Sequence, residues 1–430
     1  MPVPTPPTLR QPRLVQGVRF ARSQTRFFEK AAHLGDLFQV NFQRRRWNMV
    51  THPDAVKEVF TASPEVLHAG KGNDILATAL GEHSVLILDE DEHMRQRKLL
   101  LPSFHGEKLE AQSETIRRIA EREVKRMPRD GSFAMRDHSQ AIALEVILEI
   151  VLGTESTGPE HDALSSQAKA MLDRMGRPFS LLLPGLLGPR HRLVKRMHRP
   201  VVDPLDESLY RLIAERRLAS DLEERNDILS MLLTARDEEG RPMTDQEVRD
   251  ELVTLIVAGH ETTATALAWV FERLAHTEGS TEALHRAVED GDDEYVTSVV
   301  QETLRLRPVL DVVVRHVNRP VEIAGYAFQP GEMVVPCIHL VHRREDIYPD
   351  PLEFRPSRWK DTKPGTYTWI PFGGGVRRCI GFSFAMAEME IVIREVAKAG
   401  VLEPVGGDEA VVQRFITSSP ARGGELRFAI

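Results

Sequence analysis

Cysteine is almost absent: the 430 residues hold only Cys337 and Cys379, with no paired spacing. That excludes a disulfide framework or a zinc ribbon as the organising device, and it fits a reducing cytoplasm. The N-terminus, MPVPTPPTLRQPRLVQGVRF, lacks the apolar core of a signal peptide or membrane anchor, so residues 1–25 read as an irregular, Pro-rich lead-in to a soluble cytoplasmic protein. Positive charge is not in excess. A net charge of -8 argues against a nucleic-acid binder. No Gly-Lys-Ser/Thr follows the run Gly373-Gly374-Gly375, and the acidic partner of a dinucleotide fingerprint is missing, so no phosphate cradle is expected there. Hydrophobic residues at 41% leave ample material for a core. Neither an internal repeat nor a second domain boundary is evident, and residues 1–430 read as one domain.

What is there centres on Trp369–Gly381, WIPFGGGVRRCIG. Cys379 stands just before Phe382–Ala399, a segment with helical spacing. A thiolate there faces the positive end of a helix among backbone N–H donors, which is expected to lower its pKa and suits it to hold a metal through sulfur. The glycines let the backbone come close to something flat or bulky. Arg377 is suited to a carboxylate partner. Taken alone, a cysteine beside glycines is more often a small buried hydrophobe in a turn.

Helical spacing dominates the rest. Thr244-Asp245-Gln246-Glu247 is a capping box, opening a helix that runs to about His276, roughly 45 to 50 Å at 1.5 Å per residue. At its centre lies Ala258-Gly259-His260-Glu261-Thr262. A mid-helix glycine weakens the helix by about 1 kcal/mol. Thr262 can bond back to the Ala258 carbonyl and open a groove. Taken alone, this stretch would be a packing seam.

A helix from Asp89 to Leu101 carries His93 and Arg97 on one side, with Arg95 and Lys98 outside. Another, Asp292–Leu306, puts Glu302 and Arg305 on one face. Phe38–Phe42 and Trp47–Thr51 read as a hairpin around Gln43-Arg44-Arg45-Arg46. Val312–Val317 and Val321–Val335 read as strands with turns at Gly325 and Pro330-Gly331, and Phe415–Ser419 with Pro420–Gly424 as a hairpin whose tip reaches a pocket. The apolar loop Phe179–Leu187 is core or a lid, and less readily a membrane contact. His339-x-x-His342 has metal-like spacing, but no carboxylate is suitably placed and no metal is expected there.

Phe372, Gly375, Arg377, Cys379 and Gly381 fit F-x-x-G-x-R-x-C-x-G, and here the chain resembles the cytochrome P450 (haem-thiolate) family. The family's other motifs occur in its order along nearly the whole chain. The resemblance implies a mainly α fold with small β-sheets, with haem b lying between the long central helix and the cysteine loop. It makes Cys379 the axial ligand of the iron. His93, Arg97, Ala258, Gly259, Arg315, Phe372, Gly373, Arg377 and Gly381 would contact the haem. Glu261 and Thr262 match the acid-alcohol motif of the distal face and would relay protons. His260 is rejected as a ligand, because the intervening residue of that motif cannot face the iron together with Thr262. Glu302, Arg305 and Arg358 would form an internal structural cluster.

The implied activity is insertion of one oxygen atom from O2 into a lipophilic small molecule such as a fatty acid, terpenoid or steroid. Leu255, Val309, Val313 and Ile416 would line the pocket. Since the sequence ends at Ile430 with no flavin reductase in it, electrons are expected from a ferredoxin and a ferredoxin reductase drawing on NAD(P)H, docked through Arg95, Lys98 and Arg378. A peroxide-driven hydroxylase of the same ligation is an alternative that the Glu261-Thr262 pair opposes. A haem sensor or carrier without turnover is another, and it needs neither a proton relay nor a lipophilic pocket.

Overall fold

The computed structural model describes residues 4–42, 45–104, 107–176, 182–360 and 362–429. The helices that position the site are α1 (Glu90–Leu100), α2 (Glu107–Val124), α3 (Met135–Val146), α4 (Pro159–Gly176), α5 (Arg192–Leu218), α6 (Asp245–Ala275), α7 (Asp293–Leu306) and α8 (Phe382–Ala399). The main sheet is built from β1 (Leu37–Phe42), β2 (Arg45–Val50), β3 (Leu67–His68), β4 (Arg315–Val317) and β5 (Met333–Pro336). Its strands lie in the order β1-β2-β5-β4-β3. The expected hairpin is the β1/β2 pair, with Val40 opposite Trp47, although Gln43 and Arg44 of its turn lie outside the described residues.

Helix α6 is the axis of the molecule. Its capping box closes as the sequence indicates: Thr244 Oγ1 accepts from Glu247 N–H at 3.2 Å, and Glu247 Oε2 accepts from Thr244 N–H at 2.7 Å. Two donors that a helix start leaves unpaired are thereby satisfied. Its second half, through Leu267, Val270 and Phe271, packs into one apolar cluster with Ile116 of α2, Val300 of α7 and Val392 of α8. Its first half, through Leu252 and Ile256, packs into another with Leu164 of α4 and Leu209 of α5. Each such fully buried side chain contributes about 1.5–3 kcal/mol. No described helix is long and apolar enough to cross a membrane.

The run Val321–Val335 turns where the sequence places turns: Ala324 and Gly325 have positive φ (49° and 77°) and close a separate hairpin, Val321–Ile323 with Tyr326–Phe328, and Gly331 turns with φ 95° before β5. One expectation changes in detail. The C-terminal hairpin pairs β6 (Val411–Arg414) with β7 (Thr417–Pro420), so its tip is Phe415-Ile416 rather than the glycines after Pro420. Of the apolar loop, Leu182–Leu187 forms a short helix, and Phe179, Ser180 and Leu181 lie outside the described residues.

Candidate haem site

The cysteine loop is folded back on itself. Gly373 N–H donates to Ile370 O at 3.0 Å, Arg378 N–H to Gly375 O at 3.1 Å, and Cys379 N–H to Phe372 O at 3.0 Å. What the glycines admit is in part the chain itself. A Cβ on Gly374 would lie 2.2 Å from the Phe60 ring, and one on Gly375, where φ is +64°, would lie 2.0 Å from Phe60 O. Gly373 faces Val313 at ordinary contact distance, and nothing lies within 4 Å of a Cβ on Gly381.

The Cys379 side chain is accessible to solvent, yet protein surrounds it closely enough that burial raises its thiol pKa. Both hold if the sulfur opens onto an internal cleft. The expected lowering of that pKa is therefore not found. The Gly381 N–H and the charges of Arg97 and Arg378 do act in the expected direction, but desolvation outweighs them. A coordinating cation removes such a proton outright.

Beside the sulfur, three stretches distant in sequence bring positive charge together. His93 is buried, and burial followed by the fields of Arg377, Arg97 and Arg315 pushes its pKa down to about 3, so the ring is neutral at pH 7. Its Nδ1 has no hydrogen-bond partner. Arg315 and Arg377 are each lowered to about 10, chiefly by burial. The carboxylate expected for Arg377 turns out to belong to the chain: Arg377 Nη2 donates to Asp89 Oδ1 at 2.6 Å and to Leu88 O at 2.6 Å. Arg315 donates to its neighbour's carbonyl, Val314 O, at 3.0 Å. Arg97 forms no hydrogen bond or ion pair among the described residues. Among the described residues only Arg377 of these three guanidinium groups is ion-paired, to Asp89, which leaves positive charge in excess.

Helix α6 shows an open stripe. Leu255, Ala258, Gly259 and Thr262 keep solvent-accessible surface, while Ile256, Val257, His260 and Thr263 between them are buried. Spacings of three and four place the open residues on one face. Thr262 Oγ1 donates to Ala258 O at 2.5 Å, the back-bond expected from the sequence. His260 is turned away from that face. Burial lowers its pKa to about 4, against a hydrogen bond from the ring to the Gln140 backbone of α3.

Glu261 also leaves the open face. Arg136 Nη2 donates to both of its carboxylate oxygens, at 2.8 and 2.9 Å, and Gln140 Nε2 donates at 3.1 Å. The acid and the alcohol, adjacent in sequence, are not brought together. Neither Arg136 nor Asp89 carried a signal in the sequence, since each lies far from its partner along the chain.

Of the pocket residues expected, Leu255, Val313 and Ile416 are half-buried. Val309 is core, with its carbonyl accepting from Ser418 N–H at 2.8 Å. Leu255, Ile380 and the hairpin-tip residue Phe415 pack against the same apolar cluster.

Glu302 lies in contact with both Arg305 and Arg358. Fully buried Glu302 accepts from Arg305 Nε at 2.8 Å and Nη2 at 2.9 Å, from Arg358 Nε at 3.1 Å and from Trp359 Nε1 at 3.0 Å. The remaining Arg305 donors go to the carbonyls of His342, Pro351 and Glu353. His339 and His342 are engaged separately: His339 Nε2 lies 2.9 Å from Glu29, and His342 Nε2 accepts from Ile370 N–H.

Two of the three cations expected at a docking surface are committed inside the chain. Arg95 donates to Asp237 and Glu247, each at 2.6 Å, and Lys98 to Glu238 at 2.7 Å, because the acidic turn before α6 lies against α1. Arg378 is exposed, with its guanidinium 4.2 Å from the Phe382 ring centre.

The donor set fits iron protoporphyrin. It offers one soft sulfur ligand, guanidinium groups for two propionates, a buried imidazole whose Nδ1 is unpartnered among the described residues, and an open helix face.

Comparison with known proteins agrees. The sequence profile of the family Cytochrome P450 matches residues 4–398. Cytochrome P450 135A1 of Mycobacterium tuberculosis is 38% identical over 430 residues, covering 98% of this chain and 94% of that one. Cytochrome P450 135B1 of Mycobacterium bovis is 40% identical over 390 residues, covering 88% and 81%. Among solved structures, cyanobacterial CYP120A1 with retinoic acid bound superposes with a TM-score of 0.85 at 22% identity, covering 99% of each chain.

Proposed function

The chain belongs to the cytochrome P450 family and is a haem-thiolate monooxygenase, and from that premise we propose that Cys379 is the axial ligand of its haem b. His93, Arg97 and Arg315 hold the propionates, with Arg377 braced on Asp89 behind them. Residues 1–430 act as one domain. The observation that carries the assignment is the convergence of Arg97, Arg315 and Arg377 on buried His93, with only Arg377 ion-paired among the described residues, beside a solvent-accessible cysteine.

Bound haem would supply dioxygen activation and oxidising power, and the Cys379 thiolate would supply the electron donation that suits it to that chemistry. The protein's part is to bind, orient, exclude water and move protons. Thr262 holds its hydroxyl proton on the Ala258 carbonyl and is released to pass a proton across the open face of α6. Glu261 resupplies it after taking up a proton from solvent, once its carboxylate swings off Arg136 or is bridged to Thr262 by water. The apolar residues Leu255, Val313, Phe415 and Ile416 favour a lipophilic substrate such as a fatty acid, terpenoid or steroid. Electrons come from a separate ferredoxin and its reductase, drawing on NAD(P)H in the cytoplasm, and exposed Arg378 near the cysteine loop supports that docking.

The test is the reduced carbonyl spectrum of the haem-loaded protein. The band that names the family is expected, and it should vanish in Cys379→His, which keeps a ligand but not a sulfur. Absence of the band from the unaltered protein would overturn the assignment. Screening lipophilic compounds for a blue shift of the ferric band then identifies the substrate class.

A further inference from the structure

His342 belongs to the His339-x-x-His342 spacing, where no metal is expected, but its ring joins two parts of the site. It is fully buried, on the segment after β5. Nε2 accepts the Ile370 N–H at 2.9 Å, so the ring proton must sit on Nδ1, which lies 3.2 Å from Arg305 O and donates to it. Arg305 returns a bond of its own, from Nη1 to His342 O at 3.0 Å. The imidazole is therefore a strut of one tautomer, with the Glu302-Arg305-Arg358 cluster at one end and the backbone of Ile370 at the other.

From Ile370 the connection runs on to the sulfur. Ile370 O accepts from Gly373 N–H at 3.0 Å, and Phe372 O accepts from Cys379 N–H at 3.0 Å. An apolar side chain of similar volume would fill the space without the desolvation cost of two ring nitrogens. What the imidazole adds is direction, because an acceptor at one fixed point selects a single height for the loop.

We propose that His342 is a positioning residue for the metal ligand, setting the register of the Cys379 loop against the Arg305 cluster through the Ile370 amide. This rests on the reading of Cys379 as the axial ligand. Among the described residues neither ring nitrogen has a further partner, so the role passes through the backbone.

Three variants separate this from a merely filled core. His342→Gln places an amide oxygen near Nε2 and keeps the acceptor for Ile370. His342→Asn keeps a donor near Nδ1 but withdraws that acceptor, and His342→Phe removes both. In Asn and Phe, amide hydrogen exchange at Ile370 is expected to quicken about tenfold, and part of the reduced carbonyl signal should leave the thiolate band at equal haem content. In Gln both readouts should stay near those of the unaltered protein.

Asn or Phe with unchanged exchange and a full thiolate band would overturn the proposal, as would Gln and Asn behaving alike. If Phe does not fold, the Gln and Asn pair decides. An unaltered protein lacking the thiolate band removes the premise, and the proposal with it. A full band there with unresponsive variants overturns the proposal alone.

Discussion

Arg136 and Glu261 meet through a single guanidinium nitrogen that donates to both carboxylate oxygens, at 2.8 and 2.9 Å. The consequence is a division of labour along one turn of α6. Thr262 faces the cleft, and its neighbour is anchored on α3.

Arg136→Gln is expected to destabilise the protein by about 1–3 kcal/mol in urea unfolding, because a half-buried carboxylate loses its charged donor. In combination with Glu261→Gln the loss should be smaller than the sum of the two single losses. Strict additivity would show that the pair is not coupled.

Thr262→Ala should leave haem content and the rate of reduction unchanged, while product formation falls by about 10²-fold, the usual size of a lost proton-transfer group. Hydrogen peroxide should then account for most of the oxygen consumed. Product formation fully coupled to oxygen uptake in this variant would sink the relay.

Glu302→Gln leaves the fully buried Arg305 guanidinium without a countercharge and deprives Arg358 of the same partner. A loss of about 3–5 kcal/mol is expected, together with faster haem loss on dilution. Denaturant unfolding with a midpoint close to that of the unaltered protein would contradict the structural role.

Charge reversal should separate the exposed from the committed cations. Arg378→Glu is expected to slow reduction by ferredoxin and flatten its dependence on salt. Arg95→Glu should instead lower stability, by breaking the contacts to Asp237 and Glu247, and leave the salt dependence of reduction intact. Stopped-flow reduction at several ionic strengths reads both effects.

Acid should weaken the fold through His260, whose pKa burial lowers from 6.5 to about 4. Between those values the unfolded chain binds a proton that the folded protein does not. Stability therefore rises with pH across the window and is lost as pH falls from 6.5 towards 4, by at most about 1.4 kcal/mol per pH unit for this one group. His260→Leu should flatten that part of the profile of urea midpoints. An unchanged slope would mean that the ring is not held neutral.

Features that depend on chain neighbours were legible without a structure. The capping box, the Thr262 back-bond to Ala258, the pairing of Glu302 with Arg305 and the cysteine at the head of a helix all follow from spacings of three or four residues, because helix geometry sets those relationships locally. Their long-range partners were not. Arg136 is 125 positions from Glu261, and Asp89 is 288 from Arg377. Only the packing of α3 on α6, and of the cysteine loop on the start of α1, decides those contacts.

The direction of the Cys379 shift belongs to the same class. A helix terminus and two arginines can be read from sequence, whereas desolvation depends on every atom that folding brings near the sulfur. Residue order by itself therefore determined which chemistry the chain carries and on which helical faces. The tertiary structure decided which charges are paired and which side chains face the cleft, since burial and long-range pairing exist only once distant segments are packed together.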